Sequence, residues 1–107
     1  MLKRKYRLPA SVRFSKNDTI STKFYLLKTA PNNLSYSRVG FVISKKVDKR
    51  AVARNRLKRK MTNFIEKVIE KIVGYDMLFI LKKEAILGVN QLDKTTSDVL
   101  KKKGILA

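Results

Sequence analysis

The sequence contains neither cysteine nor histidine, and each absence excludes a kind of chemistry. Without cysteine there are no disulfides, thiolate metal sites or cysteine nucleophiles. Without histidine the chain lacks the usual general base and the commonest metal ligand. The eight acidic residues are scattered, and Glu66 and Glu70, one helical turn apart, are flanked by lysines as in surface ion pairing. We therefore expect a binding protein with no catalytic residue and no metal site of its own.

Long apolar runs are also absent. The longest uninterrupted runs, such as residues 77–81, fall far short of the ~20 residues that a membrane-spanning helix needs. The basic start MLKRKYRLP is not followed by the apolar stretch of a signal peptide. We expect a cytoplasmic protein with no membrane partner. Its 107 residues suit one domain, residues 1–107, with a modest core.

Positive charge is what the sequence has in excess. Lysine and arginine number 26 against eight acids, which gives a net charge of +18 and attracts polyanions. Residues 1–16 form a basic arm without an acid, which is either a frayed terminus in solvent or part of a polyanion-binding surface. The cations of this arm are Lys3, Arg4, Lys5, Arg7, Arg13 and Lys16.

The apolar pattern predicts a small sheet with helices packed on it. Residues 19–29, 38–44 and 75–81 are rich in β-branched, aromatic and aliphatic side chains, which predicts three strands. In the second strand, Gly40 and Val42 put little side-chain bulk on one face, so another group can approach the backbone there. The strand-helix-strand order predicts that the second and third strands are parallel.

Two helices follow from the spacing of apolar residues. Positions three and four apart, from Leu57 to Ile72, predict a long helix that is N-capped by Asp48, runs to Val73 and stops at Gly74. A second, more polar helix is predicted over residues 90–103. It would contact the core through Leu92 and Leu100.

The long helix carries its positive charge at the less favourable end. Its first half holds five cations and no acid, although a cation near a helix N-terminus costs roughly 0.3 to 1 kcal/mol. Bound phosphates would offset that cost, because free N–H groups, the helix dipole and guanidinium groups together attract them. A solvated charged helix face is the alternative, and it is disfavoured because such faces usually mix both signs. The predicted nucleic-acid-binding residues are Lys45, Lys46, Lys49, Arg50, Arg54, Asn55, Arg56, Lys58, Arg59 and Lys60.

A helical wheel separates Arg54 from four of the other predicted binding residues on the helix. Asn55, Arg56, Arg59 and Lys60 lie away from the apolar stripe and should face solvent. Arg54 falls near the stripe, so it should either reach past the edge of the sheet or line a cleft where the helix begins.

The segment RVGFVISKKVDKRAVARNRLKRKM closely resembles the signature of the bacterial ribonuclease P protein component. That signature is a strand ending in Ser-Lys-Lys, a short connection, and a helix that opens on Arg-Asn-Arg followed by Lys-Arg. Its residues here are Ser44, Lys45, Lys46, Arg54, Asn55, Arg56, Lys58 and Arg59. The resemblance implies an α/β (α+β) two-layer sandwich with a mixed sheet of about four strands. Its β-α-β crossover would be left-handed, as in the ribosomal protein S5 domain 2-like fold, an exception to the usual handedness.

The resemblance also implies a function. The chain would be the protein subunit of an endoribonuclease whose catalytic RNA removes the 5′ leader of precursor tRNA. Its partners would be that RNA and precursor tRNA, and Mg²⁺ would be bound mainly by the RNA. The basic residues would contact the catalytic RNA or order the phosphates and metal ions near it.

The resemblance places the leader in a cleft beside the sheet. The cleft residues would be Phe14, Tyr25, Leu27, Val42 and Ser44. Tyr25 would stack on an unpaired base, although a half-buried strand aromatic is an equal alternative. Relatives carry an N-terminal helix with an aromatic pair that walls the cleft, whereas LPASVRFSKND is shorter and offers only Phe14. We therefore predict a weaker or rearranged leader contact.

Composition and motifs also leave two alternative functions. Charge alone would also suit a ribosomal or other structural RNA-binding protein. A protein-only nuclease is disfavoured, because metal-assisted cleavage needs carboxylates that converge.

Overall fold

A computed structural model describes residues 2–9, 12, 14 and 19–106, and in it four strands form one mixed sheet. The strands are β1 (Thr19–Ser21), β2 (Tyr25–Pro31), β3 (Arg38–Val42) and β4 (Tyr75–Leu81), in the order β1-β2-β4-β3. β2 pairs antiparallel with β1 and β4, whereas β3 and β4 are parallel, as predicted.

Three helices accompany the sheet in the described part of the chain. They are α1 (Ala51–Val68), α2 (Glu84–Leu87) and α3 (Leu92–Lys102). α1 ends at Val68 rather than at the predicted Val73, because the chain tightens into a 3-10 turn, Ile69–Lys71. Gly74 then takes a φ of +80°, which a glycine adopts without strain, and the chain enters β4. None of these helices is long and apolar enough to span a membrane.

Asp48 is not the N-cap of α1. The N-cap position is Arg50, whose side chain makes no capping hydrogen bond. Asp48 lies two residues earlier and accepts a 2.8 Å hydrogen bond from the backbone N–H of Arg50. The carboxylate therefore closes the turn before the helix, the local role that aspartate often takes in loops.

The core lies on one face of the sheet. α1 buries Leu57, Met61 and Ile65 there, and α3 buries Leu92 and Leu100, as predicted for the last two. These residues form one cluster with the inward-facing residues of the strands. The result is an α+β fold of two layers, as expected, and the handedness of the crossover stays a prediction.

The predicted strand over residues 19–29 is in fact a hairpin. The Thr22 hydroxyl oxygen accepts hydrogen bonds from the backbone N–H groups of Phe24 (3.2 Å) and Tyr25 (3.1 Å), which turns the chain between β1 and β2. Phe24 then packs against Gly88, where an added Cβ would lie 2.2 Å from the ring. Glycine at this position lets the backbone after α2 lie directly on the hairpin.

The N-terminal arm is docked on the sheet rather than frayed, at least over residues 2–9. Its Leu2 and Tyr6 are buried, and the Leu8 N–H donates a 2.9 Å hydrogen bond to the carbonyl of Val39 in β3. The Leu8 side chain fills the space that Gly40 leaves on this face of β3, as the sequence predicted for another group, because a Cβ added at Gly40 would lie 3.2 Å from the Leu8 Cβ. Arg13 and Lys16 of the predicted arm lie outside the described residues.

Candidate nucleic-acid interface

The register of β2 decides which predicted cleft residues are accessible. Tyr25 and Leu27 point into the core and are fully buried. The Tyr25 hydroxyl lies 2.9 Å from the Thr96 hydroxyl of α3, and burial raises the pKa of Tyr25 to about 12. The prediction that Tyr25 stacks on a base is therefore wrong, and Leu27 cannot line a cleft either. Alternation along a strand puts their neighbours on the other face.

The opposite face of the sheet carries apolar side chains between two lysines. We call it the open face. It consists of Leu26 and Lys28 of β2, Leu78 and Ile80 of β4, Val42 of β3, and Lys82.

Val42 is the most exposed residue of the open face, whereas the Leu8 side chain covers this face beside Gly40 and Leu78. Val42 is 43% exposed, and Ser44 beyond it is exposed, so these two predicted cleft residues can be reached from solvent. Lys82, which directly follows β4, donates a 2.7 Å hydrogen bond from its ammonium group to the Thr22 carbonyl. Phe14 is partly exposed, and its place in the cleft stays a prediction.

The loop before α1 is tied to the helix by two arginines. Arg50 donates two hydrogen bonds to the Asp48 carboxylate, and with the bond from the Arg50 backbone they lower the pKa of Asp48 to about 2. Arg54 folds back and donates to the carbonyls of Asp48 (2.8 Å) and Lys49 (3.1 Å). It therefore orders the loop where α1 begins, and its predicted contact with nucleic acid stays a prediction.

The remaining cations of α1 differ in their partners. Arg56, Lys58 and Arg59 are exposed and have no ion-pair partner within the described residues. Lys60 instead lies 3.4 Å from the Asp93 carboxylate of α3 and is only about one-third exposed, so it does not face solvent fully as predicted. The other predicted binding residues that are exposed are Lys45, Lys46, Lys49, Arg50 and Asn55.

A groove of about 800 Å³ runs between the docked arm, β3 and α1. We call it the arm groove. The helix side is a polar stripe with a spacing of three and four, and it is made of Asn55, Lys58, Arg59, Thr62 and Asn63. The opposite side is made of Leu2, Arg7, Leu8, Val39, Gly40 and Phe41.

Three polar residues of the arm groove were not predicted from the sequence to bind nucleic acid. Asn55, Lys58 and Arg59 were predicted to bind nucleic acid, whereas Arg7, Thr62 and Asn63 were not assigned to that surface. The signal for Thr62 and Asn63 was present, because each lies four residues after a predicted binding residue and therefore on the same helix face. Arg7 joins them only because the arm docks on β3.

The described carboxylates do not fit a Mg²⁺ site. No group of three acidic side chains converges in the parts of the chain that the structure describes. Asp48 and Asp93 pair with cations, and Asp76 accepts 2.8 Å bonds from Arg38. Burial alone would raise the pKa of Asp76, but the hydrogen bonds from Arg38 and Asn32 outweigh it and lower that pKa.

Known proteins resemble this chain over most of its length. The family model described as Ribonuclease P matches residues 2–104. The ribonuclease P protein component of Dehalococcoides mccartyi strain CBDB1 is 40% identical over 83 residues, which cover 77% of this chain and 68% of that protein. The component of Roseiflexus castenholzii is 29% identical over 112 residues, which cover 98% and 91%.

Solved structures share the fold. A mutant RNase P protein of Staphylococcus aureus, described as defective in mRNA degradation, superposes with a TM-score of 0.76 at 24% identity, over 85% of this chain and 78% of that one. The RNase P protein of Thermotoga maritima gives a TM-score of 0.69 at 22% identity, over 78% and 81%. The match of the family model to nearly the whole chain decides the assignment: this chain belongs to the ribonuclease P protein family.

Proposed function

We propose that this ribonuclease P protein subunit binds the catalytic RNA of the enzyme through the first turns of α1 and the loop before it. The observation that carries the proposal is the set of exposed cations there that have no acidic partner among the described residues. Arg56, Lys58 and Arg59 extend from a helix end with no acid in its first turn. Phosphates of an RNA would neutralise these charges and also meet the positive end of the helix dipole.

The arm groove would continue this RNA-binding surface. Its polar stripe presents amide, hydroxyl and cationic groups at regular intervals along α1, and Arg7 faces it from the arm. Such groups donate to phosphate and ribose oxygens without reading the sequence. The docked arm therefore would contribute to RNA affinity through its position on β3.

The open face would hold the single-stranded 5′ leader of precursor tRNA. Val42, Leu26 and Ile80 lie side by side in one row across the three strands and provide an apolar floor for bases. Lys28 and Lys82 lie on the same face and would meet phosphates. Single strands bind to such surfaces by combining base packing with backbone charge. This placement replaces Tyr25 and Leu27 with their neighbours on β2.

Cleavage of the leader would be carried out by the RNA subunit, with this chain acting in binding and positioning. Mg²⁺ in the holoenzyme would be bound mainly by RNA, which agrees with the pairing of Asp48, Asp76 and Asp93 with cations. The chain offers neither histidine nor cysteine as a general base or nucleophile.

Reconstitution tests this division of labour. The protein is combined with catalytic RNA and precursor tRNA at low Mg²⁺, and each component is omitted in turn. We expect cleavage that needs the RNA and is stimulated by the protein. Cleavage by the protein alone would indicate a protein nuclease. Binding to the RNA without stimulation would indicate a structural RNA-binding protein.

The leader site is tested separately by comparing precursor tRNA with and without its leader. Lys28→Ala should reduce the holoenzyme's preference for the leader-bearing substrate. Lys102→Ala, an equal loss of charge at the exposed end of α3, is the matched control and should leave the preference unchanged. Equal effects of the two variants would argue against the open face as the leader site.

A further inference from the structure

A small apolar pocket lies where the first turns of α1 meet α2 and the 3-10 turn that follows it (Val89–Gln91). Its volume is about 210 Å³. The apolar part of its wall consists of Val52, Ala53, Leu57, Ile86 and Val89. Arg50 and Arg56 complete the lining, so the pocket opens within the basic surface proposed to bind RNA.

One apolar side chain that lines this pocket is exposed, and so is another that follows a lining residue in the sequence. Val52 is 70% exposed although it stands in the first turn of α1, and Leu87, next to Ile86 in α2, is 94% exposed. Single exposed apolar residues are common, but a cluster rimmed by polar groups marks an interaction site. Here the rim is cationic, which restricts the partner.

The two arginines of the rim favour a nucleic acid over a protein. Arg56 is exposed without an ion-pair partner in the described ranges, whereas Arg50 pairs with Asp48 through a side chain that is 73% exposed. Guanidinium planes stack on unpaired bases, and their charge suits the phosphates that accompany a base. An apolar segment of a protein would have to bring acids of its own to this rim.

The size of the pocket limits what can enter it. A volume of 210 Å³ is below the ~300 Å³ at which pockets for drug-sized ligands begin. The pocket therefore suits one ring system rather than a folded segment.

We propose that this pocket receives one unpaired base of the ribonuclease P RNA, with the Arg56 guanidinium against the base. The proposal rests on the proposed binding of that RNA to the first turns of α1. It adds a contact that depends on shape and apolar burial, beside phosphate contacts that depend on charge. The RNA would then be held in a defined register on the helix.

A pair of alanines provides the test. Ala53 lines the pocket, whereas Ala51 is exposed in the same helical turn and does not line it. Ala53→Leu fills the pocket, and Ala51→Leu adds the same side chain outside it. Neither changes the charge, and leucine is a good helix former. We expect Ala53→Leu to bind the RNA about tenfold more weakly than Ala51→Leu, with an unchanged salt dependence, because only Ala53→Leu fills the pocket.

Chemical probing of the RNA gives a second readout. One unpaired nucleotide should be protected by the wild-type protein and by Ala51→Leu, and become reactive with Ala53→Leu. If Ala53→Leu does not fold, Val52→Ser takes its place, with Val73→Ser, which lies beyond the 3-10 turn that follows α1, as its control, because both valines are more than half exposed.

The outcomes separate this proposal from the one on which it rests. Equal RNA affinity of Ala53→Leu and Ala51→Leu, while wild type binds, would overturn the base pocket alone. A wild-type protein that does not bind the RNA would overturn the proposed function, and the pocket with it.

Discussion

The buried bond between Tyr25 and Thr96 gives a prediction about stability that also tests the corrected leader site. Both residues are fully buried, and their hydroxyl groups lie 2.9 Å apart. Tyr25→Phe leaves the Thr96 hydroxyl without this partner, and Thr96→Val does the same to Tyr25. Each change should cost about 1–3 kcal/mol, because an unsatisfied buried group pays its full desolvation cost. The double variant should recover much of that loss, since both partners are then apolar.

Thermal and urea unfolding of the protein measure these differences. For a domain near this size, 1 kcal/mol corresponds to about 4–8 °C in Tm. Losses that simply add in the double variant would refute the hydrogen bond as the cause. Tyr25→Phe should leave the preference for leader-bearing substrate intact, because the ring lies in the core. A folded variant that loses this preference would contradict the placement of Tyr25.

The same tyrosine predicts a dependence on alkaline pH. Burial raises its pKa from 10.0 to about 12, so the folded state favours the protonated phenol. Its contribution to the free energy of unfolding is complete below pH 10 and is lost as pH rises toward 12. Tyr25→Phe should remove this part of the alkaline decline, and an identical decline in the variant would argue against it.

Three further changes test other contacts. Gly88→Ala should destabilise by about 1–3 kcal/mol, since its Cβ would clash with Phe24, and Phe24→Leu in the same chain should relieve part of that loss in urea unfolding. Arg38→Met should cost about 1–3 kcal/mol because it removes two hydrogen bonds from the buried Asp76 carboxylate and leaves it the one from Asn32. Because the pKa of Asp76 is lowered in the folded state, its ionised form stabilises the fold above pH ~4, and this stabilisation is lost as pH falls. In Arg38→Met, stability should therefore decline less steeply at acid pH. An unchanged decline would show that the Arg38–Asp76 pair does not contribute to it. Lys60→Met should change stability by less than about 1 kcal/mol, because its ion pair is partly exposed, and a larger change would show that the pair is more than a surface contact.

Patterns longer than two turns or one full strand could be predicted from the sequence. The apolar stripe of α1 and the run that forms β4 each repeat a period often enough to identify the element and the face that it buries. The basic first turns of α1 were visible because a helix N-terminus with cations and no acid departs from what stability alone favours.

The sequence could not show which way β2 faces. Tyr25, Leu26 and Leu27 are consecutive apolar residues, so alternation does not mark the buried face. Pairing with β4 sets it, since Leu26 lies opposite Ile80 on the open face and Leu27 opposite Phe79 in the core. A one-residue shift in this assignment moves every side chain to the other face, which is why the predicted cleft contained buried residues.

Short and nonlocal features were missed for other reasons. α2 spans only Glu84–Leu87, too few residues to show a helical period. The turn at Thr22 depends on one hydroxyl group within a run that otherwise resembles a continuous strand. The ties from Arg54 to the loop, and the contribution of Arg7 to the arm groove, depend on tertiary contacts that no local pattern contains.

The salt dependence of binding to the catalytic RNA tests the central claim most directly. One triple variant replaces Arg56, Lys58 and Arg59 with glutamine, and a control replaces Lys101, Lys102 and Lys103, which are also exposed and carry the same total charge. If α1 contacts three phosphates, the slope of log affinity against log salt should fall by about 2 to 3 units in the first variant and change little in the control. Equal slopes in the two variants would show that only net charge matters, and would contradict a docking surface on α1.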